Sequence, residues 1–345
     1  MNRVLYFHHY NNYSGSTLVL ANLLETKVEK GEKVTVITDN TSDGCLSNIP
    51  GVKIINLPIL RYNNRALPII SPLIWLIYGL FLVFKYGKKY NVFYINTIVP
   101  IYAAIGGIIL RKHIVYHVHE KFVNPSFQDK VSEWVFEHIS ADRYFVSNYL
   151  KKQYDEKHGK LSVVKYNTLS KSFVQSISRK GISERNFNTI LLVASLSEAK
   201  GVLKFKQLAL LMPEFDFILV ASSELNDILS FLNNDIPNNL SLYSNQKDMH
   251  PFYYNADVLV NLTNPLFWVE TFGMTILEGM SYGLPAVVPN VGGPIELVED
   301  GINGFSVDVT NETELCCAIK KCLNRDNYIN LSNNAIKKFE EIQFE

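Results

Sequence analysis

Short apolar runs rich in Val, Ile, Tyr and Phe alternate along the chain with longer stretches of helical period. Val4–Phe7, Val34–Thr38, Val52–Leu57, Val92–Asn96, Ile114–His117 and Arg143–Val146 read as strands, and Ser162–Tyr166 closes this first series. A helix is predicted over Thr17–Lys30, with further helical stretches between most of the strands. Alternation of this kind means βαβ units and a mainly parallel sheet covered on both faces. Between about Thr168 and Asn188 the period is lost and the composition turns to Ser, Lys and Arg, which reads as a linker. The pattern restarts with a strand at Thr189–Ala194, a helix over Leu203–Leu211 and a strand at Phe215–Ala221. Strands at Leu240–Tyr243, Val258–Asn261, Ala286–Pro289 and Phe305–Val307 follow. The expected architecture is therefore α/β, with two facing Rossmann-like domains at residues 1–170 and 171–345. Ligands of such sheets sit beyond the C-terminal strand ends, so a cleft between the domains is the expected site.

Composition narrows the partners. The 345 residues carry 33 Lys and Arg against 33 Asp and Glu, a net charge of zero. A general nucleic-acid binder needs a cationic surface and is excluded; one anionic ligand in a cleft is not. With 47% hydrophobic and 12% aromatic residues, global disorder is excluded as well. Cys45, Cys316, Cys317 and Cys322 show no C-x2-C spacing and read as reduced thiols of a cytoplasmic protein. The first residues, through His9, lack the long apolar core of a signal peptide and read as a buried strand. Ala66–Phe84 is uncharged over a length fit to span a bilayer, and Lys85, Lys88 and Lys89 follow it. Spanning would split one domain across the membrane, and Pro68 and Pro72 break the first third. A buried crossover helix and an interfacial helix over Leu73–Lys89 facing anionic lipid remain equal readings.

The most informative stretch is Trp268–Gly304. A helix is predicted from about Gly273 to Tyr282, with Glu270 in the loop before it and Glu278 within it. The N–H groups of Phe272 to Thr275 point out of its N-terminus, ready for an anion or a sugar hydroxyl. Gly292-Gly293-Pro294 is expected to open a second short helix with the same capacity. Taken alone, Glu278 reads as a solvated helix residue and the glycines as turns. Together they form a polyhydroxyl-binding arrangement, because carboxylates accept paired hydrogen bonds from vicinal diols.

At these residues the sequence resembles the retaining, GT-B-fold glycosyltransferases of the group-1 type (family 4). The family's E-x7-E is present as Glu270 and Glu278, its G-x-P as Gly283-Leu284-Pro285, and its G-G-x-x-E-x-V from Gly292 to Val298. The likeness extends to Lys30–Val36, to Ala141–Ser147 and to Asn255-Ala256-Asp257-Val258. The resemblance implies that Glu278 holds the ribose diol, and that Glu270 lies near the donor sugar and the charge developing at its anomeric carbon. Phe272, Gly273, Met274 and Thr275 would supply backbone donors to sugar and distal phosphate. Lys200, in Ser197-Glu198-Ala199-Lys200-Gly201, would stabilise the departing diphosphate. The loop Tyr243–Met249, with Asn245, would hold the base.

From the first domain, His119 resembles the family histidine that hydrogen-bonds the donor sugar, and Gly15 the glycine that lets backbone approach the ligands. His117 reads either as sharing that face or as a core histidine; His8 and His9 read either as acceptor contacts or as strand ends. A zinc site at His117, His119 and Glu120 is disfavoured, since no fourth ligand is indicated. Two positions depart from the family: Ala194-Ser195 stand where Gly-Arg is usual, which leaves Ser195 as a hydrogen-bond donor, and Val220-Ala221-Ser222-Ser223 replace v-G-x-G. Ile329–Glu345 reads as the beginning of the family's C-terminal helix.

The resemblance implies a metal-independent retaining transfer from a nucleotide sugar, which is a substrate, so no cofactor is expected. UDP is the expected nucleotide on family frequency alone. A glycan or lipid-linked acceptor in cell-surface polysaccharide assembly is expected, with peripheral contact at the inner face of an anionic membrane. A nucleotide-sugar epimerase on the same fold and a catalytically inactive sugar- or nucleotide-binding partner protein are the alternatives. A dehydrogenase is disfavoured, because the first loop lacks G-x-G-x-x-G.

Overall fold

The computed structural model describes residues 3–39, 43–57, 71–154 and 162–344, with backbone only at 71 and 72. The chain forms two compact units, Met1–Tyr166 and Asn167–Glu345. In the first, strands β1 (Val4–Tyr10), β2 (Val34–Asp39), β3 (Val52–Asn56), β4 (Val92–Asn96), β5 (His113–Val118), β6 (Asp142–Phe145) and β7 (Ser162–Val164) form one sheet of order β3-β2-β1-β4-β5-β6-β7. Every pairing in it is parallel. Helices α1 (Gly15–Glu29), α2 (Ser71–Tyr86), α3 (Ile101–Ile109), α4 (Phe127–His138) and α5 (Asn148–Tyr154) connect them. The order reverses between β1 and β4, the switch point at which such sheets hold ligands.

The second unit repeats the plan. Strands β8 (Thr189–Ala194), β9 (Asp216–Ala221), β10 (Leu240–Ser244), β11 (Val258–Val260), β12 (Ala286–Pro289) and β13 (Gly304–Val307) give the order β10-β9-β8-β11-β12-β13, again all parallel. Its helices are α6 (Lys171–Gln175), α7 (Val202–Leu211), α8 (Leu225–Phe231), α9 (His250–Asn255), α10 (Met274–Ser281), α11 (Pro294–Leu297), α12 (Glu312–Leu323) and α13 (Arg325–Phe344). Phe205 of α7 and Phe217 of β9, both fully buried, meet edge-on at 5.1 Å in the core between α7 and the sheet. The alternating pattern predicted in the sequence thus becomes two Rossmann-like sheets, one in each unit.

The stretch expected to be a linker is instead fastened to the second unit. Ser170 caps α6 through the Phe173 N–H, and Arg179 donates to the Ser281 carbonyl at 2.8 Å. Arg185 is buried, donating to the Ala256 carbonyl at 2.6 Å beside the Asp257 carboxylate at 3.4 Å. The other oxygen of Asp257 accepts the N–H groups of Asn188 and Thr189, which starts β8. A Ser-, Lys- and Arg-rich composition looked solvated because the carboxylate that pairs with it lies some seventy residues away.

The apolar stretch begins with residues 66–70, Pro68 among them, which lie outside the described residues. From Ser71 onward it is α2, and no described helix is long and apolar enough to cross a membrane. Helix α13 runs over 20 residues and packs within the second unit, where Gln343 and the Leu169 backbone exchange two hydrogen bonds of 2.7 and 3.1 Å.

Candidate active site

In the second unit the site is built at the C-terminal strand ends. The turn after β8 carries Lys200, and Gly201 completes it at φ +75°, where a Cβ would lie 2.3 Å from the Leu262 carbonyl oxygen. Only glycine permits that approach. The Ala199 carbonyl accepts the Asn264 N–H at 2.8 Å, so the lysine turn is hydrogen-bonded to the loop after β11. That loop ends in Glu270, and the Lys200 ammonium meets the Glu270 carboxylate at 2.7 Å, both side chains about a quarter exposed. Two residues chosen from separate motifs, 70 positions apart, therefore form one ion pair.

Gly273 precedes α10 at φ +105°. The first N–H groups to bond back are those of Ile276 and Leu277, both to the Gly273 carbonyl. Those of Gly273, Met274 and Thr275 come before them, at the positive end of the helix. Phe272 is 2% exposed, so its side chain anchors the tip in the core while its backbone forms the loop.

Glu278 is not a solvated helix residue. It is buried, and the Tyr253 hydroxyl of α9 donates to its Oε2 at 2.5 Å. Burial pushes its carboxyl up from 4.5 to about 7, and the tyrosine hydrogen bond opposes part of that rise. Tyr253 stacks on Tyr282, whose hydroxyl hydrogen-bonds His250, and His250 lies against Phe173 of α6 at 4.4 Å between ring centroids. Tyr253 carried no motif. Only the fold, which buries this phenol and so requires a polar partner for it, brings it to the site.

Gly292-Gly293-Pro294 opens the short helix α11, as expected, and also approaches the Glu270 loop closely. The Gly293 N–H donates to the Glu270 carbonyl at 2.8 Å, and a Cβ on Gly293 would lie 2.1 Å from the Thr271 carbonyl oxygen. A Cβ on Gly292 would lie 2.4 Å from the Glu270 carbonyl oxygen. Helix α11 has four residues. The glycine pair is thus a backbone cradle that sets the Glu270–Phe272 loop.

Ser195 is exposed just beyond β8. Asn245 follows β10 at φ 45°, its N–H bonded to the Ala221 carbonyl and its side-chain amide to Glu224.

His119 and Gly15 belong to the first unit. His119 Nε2 donates to Asn96 Oδ1 at 3.0 Å, the Asn96 amide donates to the Ser16 carbonyl at 3.0 Å, and His8 Nδ1 lies within hydrogen-bond distance of the Asn96 amide (3.1 Å) and carbonyl (3.3 Å). Asn96, at the end of β4, therefore joins the first turn of α1, which opens at Gly15, to His119 and His8 across the switch point. Sequence reading passed over it as the last residue of a strand. Burial, then the neighbouring His117 and His8, hold His119 well below the ordinary histidine range, so it is neutral. With Nε2 donating, Nδ1 is its acceptor. The buried Glu120 carboxylate accepts the Ile98 and His119 N–H groups at 2.8 and 3.3 Å, and burial raises it to about 7. His117 is a core histidine bonded to the Tyr94 hydroxyl at 3.0 Å, and His9 is buried against Trp75. No group of three or more His, Cys, Asp or Glu among the described residues is arranged to hold a metal ion.

Residues 174–340 match the model of the family described as Glycosyl transferases group 1. A 78-residue stretch is 41% identical to the sucrose synthase of Melioribacter roseus, covering 21% of this chain and 10% of that enzyme. Another of 54 residues is 44% identical to the sucrose synthase of Thermosynechococcus vestitus, covering 16% of this chain and 7% of the other. The matched stretches thus span a tenth or less of those relatives. Among solved structures, Anabaena HepE in complex with UDP and glucose has a TM-score of 0.76 at 20% identity, over 99% of this chain and 96% of that one. Sucrose-phosphate synthase from Thermosynechococcus elongatus has 0.77 at 17%, over 99% and 95%. Those likenesses show the fold, while the match to the group 1 glycosyl transferase model, over residues 174–340, takes in the lysine turn, both glutamates and the glycine cradle.

Proposed function

We propose that the protein is a metal-independent retaining glycosyltransferase that moves a sugar from a UDP-sugar to a hydroxyl of a glycan or lipid-linked acceptor in cell-surface polysaccharide assembly. The observation that carries this reading is the Lys200–Glu270 pair at 2.7 Å beside the head of α10, with the buried Glu278 within the same helix. A ribose diol donates two hydrogen bonds to the Glu278 carboxylate, and the diphosphate draws on the Lys200 ammonium and the N–H groups that open α10. When the diphosphate competes for Lys200, Glu270 turns to the sugar, where its charge stabilises the oxocarbenium-like carbon. The bond from the anomeric carbon to the diphosphate oxygen breaks as the acceptor oxygen bonds that carbon on the same face. The acceptor proton passes to the leaving phosphate, so no second nucleophilic carboxylate takes part. Lys200 balances the charge that grows on the diphosphate. Neutral His119 offers a hydrogen bond to a sugar hydroxyl.

The position of Ser195, where the family usually has arginine, favours as a second reading a sugar-nucleotide binder without turnover. One experiment separates the two. A thermal-shift screen against UDP-, GDP- and TDP-sugars is followed by product analysis with glycan and lipid-linked acceptors in the presence of a chelator. UDP-sugars are expected to raise the unfolding midpoint, and product is expected to keep the donor's anomeric configuration. Lys200→Ala is expected to lower turnover by about 10²–10³-fold. A midpoint unmoved by every nucleotide sugar refutes both readings; a shift without product leaves only the second.

A further inference from the structure

Helix α2 carries an apolar face left uncovered among the described residues. Leu73, Ile74, Ile77, Tyr78, Phe81 and Phe84 are all exposed, Ile77 by 61% and Leu73 by 56%. At about 100° per residue these six occupy one continuous arc of about 140°. The opposite side is closed by packing on α3: Gly79 lies against the Tyr102 ring and Gly106 against Val83, each so close that an added Cβ would fall within 2.5 Å of the neighbour. Trp75, on that inner side, meets Tyr102 at 5.5 Å and His9 at 4.6 Å between ring centroids. The inner face is therefore fixed, and rotation cannot hide the outer one.

Charge identifies what covers it. From Gly44 to His119 the sequence contains eight Lys and Arg and no Asp or Glu, although the whole chain balances 33 against 33. Lys85 lies in the same arc as the apolar residues, its ammonium over the Phe81 and Tyr86 rings at 5.6 and 5.2 Å. Lys88 and Lys89 follow in the next turn, both exposed. Among the described residues none of these three lysines pairs with a carboxylate. A second copy of this face would present the same acid-free surface and repel it. An anionic surface complements it.

We propose that α2 is an in-plane docking surface for an anionic lipid bilayer, with its apolar arc in the acyl boundary and Lys85, Lys88 and Lys89 among the head groups. The helix has 16 residues, about 24 Å at 1.5 Å per residue, which is short of a hydrocarbon core of about 30 Å. One flank is also packed against α3, so it lies on the membrane and does not cross it. Through Trp75 and His9 the docked helix adjoins the end of β1, next to His8 and the strand ends of the first unit. Docking requires neither donor nor turnover, so it stands or falls apart from the transfer reaction.

The test is flotation of the full chain with phosphatidylcholine vesicles, with and without phosphatidylglycerol. The wild type is expected to float with the anionic vesicles only, and less in high salt. At about fivefold per lysine, Lys85→Glu/Lys88→Glu/Lys89→Glu is expected to lower partition into anionic vesicles by at least roughly a hundredfold. Ile77→Asp should also abolish flotation, with an unfolding midpoint and nucleotide-sugar response like the wild type, since its side chain is mostly in solvent. Wild-type protein that stays unbound with anionic vesicles overturns the proposal, as do variants that float as well as the wild type. A dimer in sedimentation velocity that Ile77→Asp dissolves, without flotation, assigns the face to a second copy and overturns it equally.

Discussion

Replacing Glu278 by Gln tests whether the carboxylate is desolvated as the fold indicates. In the folded protein burial raises Glu278 from 4.5 to about 7. Between those values the native state binds more protons than the unfolded chain, so stability falls as pH rises through this window. Below 4.5 both states are protonated and nothing is lost. Above 7 the full gap applies, about 3 kcal/mol at about 1.4 kcal/mol per pH unit. Glutamine fills the same volume without the charge and still accepts from the Tyr253 hydroxyl, so Glu278→Gln escapes the penalty. The gain of the variant over the wild type should be near zero at pH 4.5 and approach about 3 kcal/mol at pH 8, or roughly 6–12 °C for a unit of this size. Thermal unfolding of both proteins across that range measures it. The same substitution should abolish nucleotide-sugar binding, because a neutral amide cannot accept two strong hydrogen bonds from one diol. A stability difference that does not change with pH would refute the desolvated carboxylate. Undiminished nucleotide-sugar affinity would refute its binding role.

Three further substitutions separate cradle from turn and one unit from the other. Gly293→Ala places a Cβ against the Thr271 carbonyl and should cost about 1–3 kcal/mol while displacing the Glu270 loop, with loss of nucleotide-sugar affinity by calorimetry. Gly301→Ala, at φ +74° with nothing within 4 Å, should cost about 1 kcal/mol in strain and leave affinity intact; equal affinity in both variants would contradict the cradle. His119→Ala should lower kcat/KM by about 3–10-fold, the loss of one sugar hydrogen bond, with UDP affinity unchanged. UDP affinity falling in step with turnover would remove His119 from the sugar side.

Much of this architecture is written locally. Strand β4, strand β8 and strand β12 were readable to the residue, because β-branched and aromatic runs between helical periods need no distant information. The helix after Glu270 was equally plain, bounded by Gly273 and Gly283. Lys200, Glu270 and Glu278 were marked by motif spacing before any contact between them was known. The lysine turn was legible only because it follows a strand.

What the sequence left open depends on partners far along the chain. Spacing marked Glu278, but its burial and its hydrogen bond from Tyr253, 25 residues away, arise only when α9 and α10 pack together. Asn96 looked like the last residue of a strand until the fold set it against His8, 88 positions earlier, and His119. The glycine pair was legible as a turn opening a short helix, but its close backbone approach to the Glu270 loop is a contact no local pattern encodes. Even the apolar run after Ser71 was ambiguous alone, since buried and exposed faces share the same residue types. Period and propensity are properties of neighbours in sequence and fix elements. Charge pairing, desolvation and close backbone approach are properties of neighbours in space, and they decided what each residue is for.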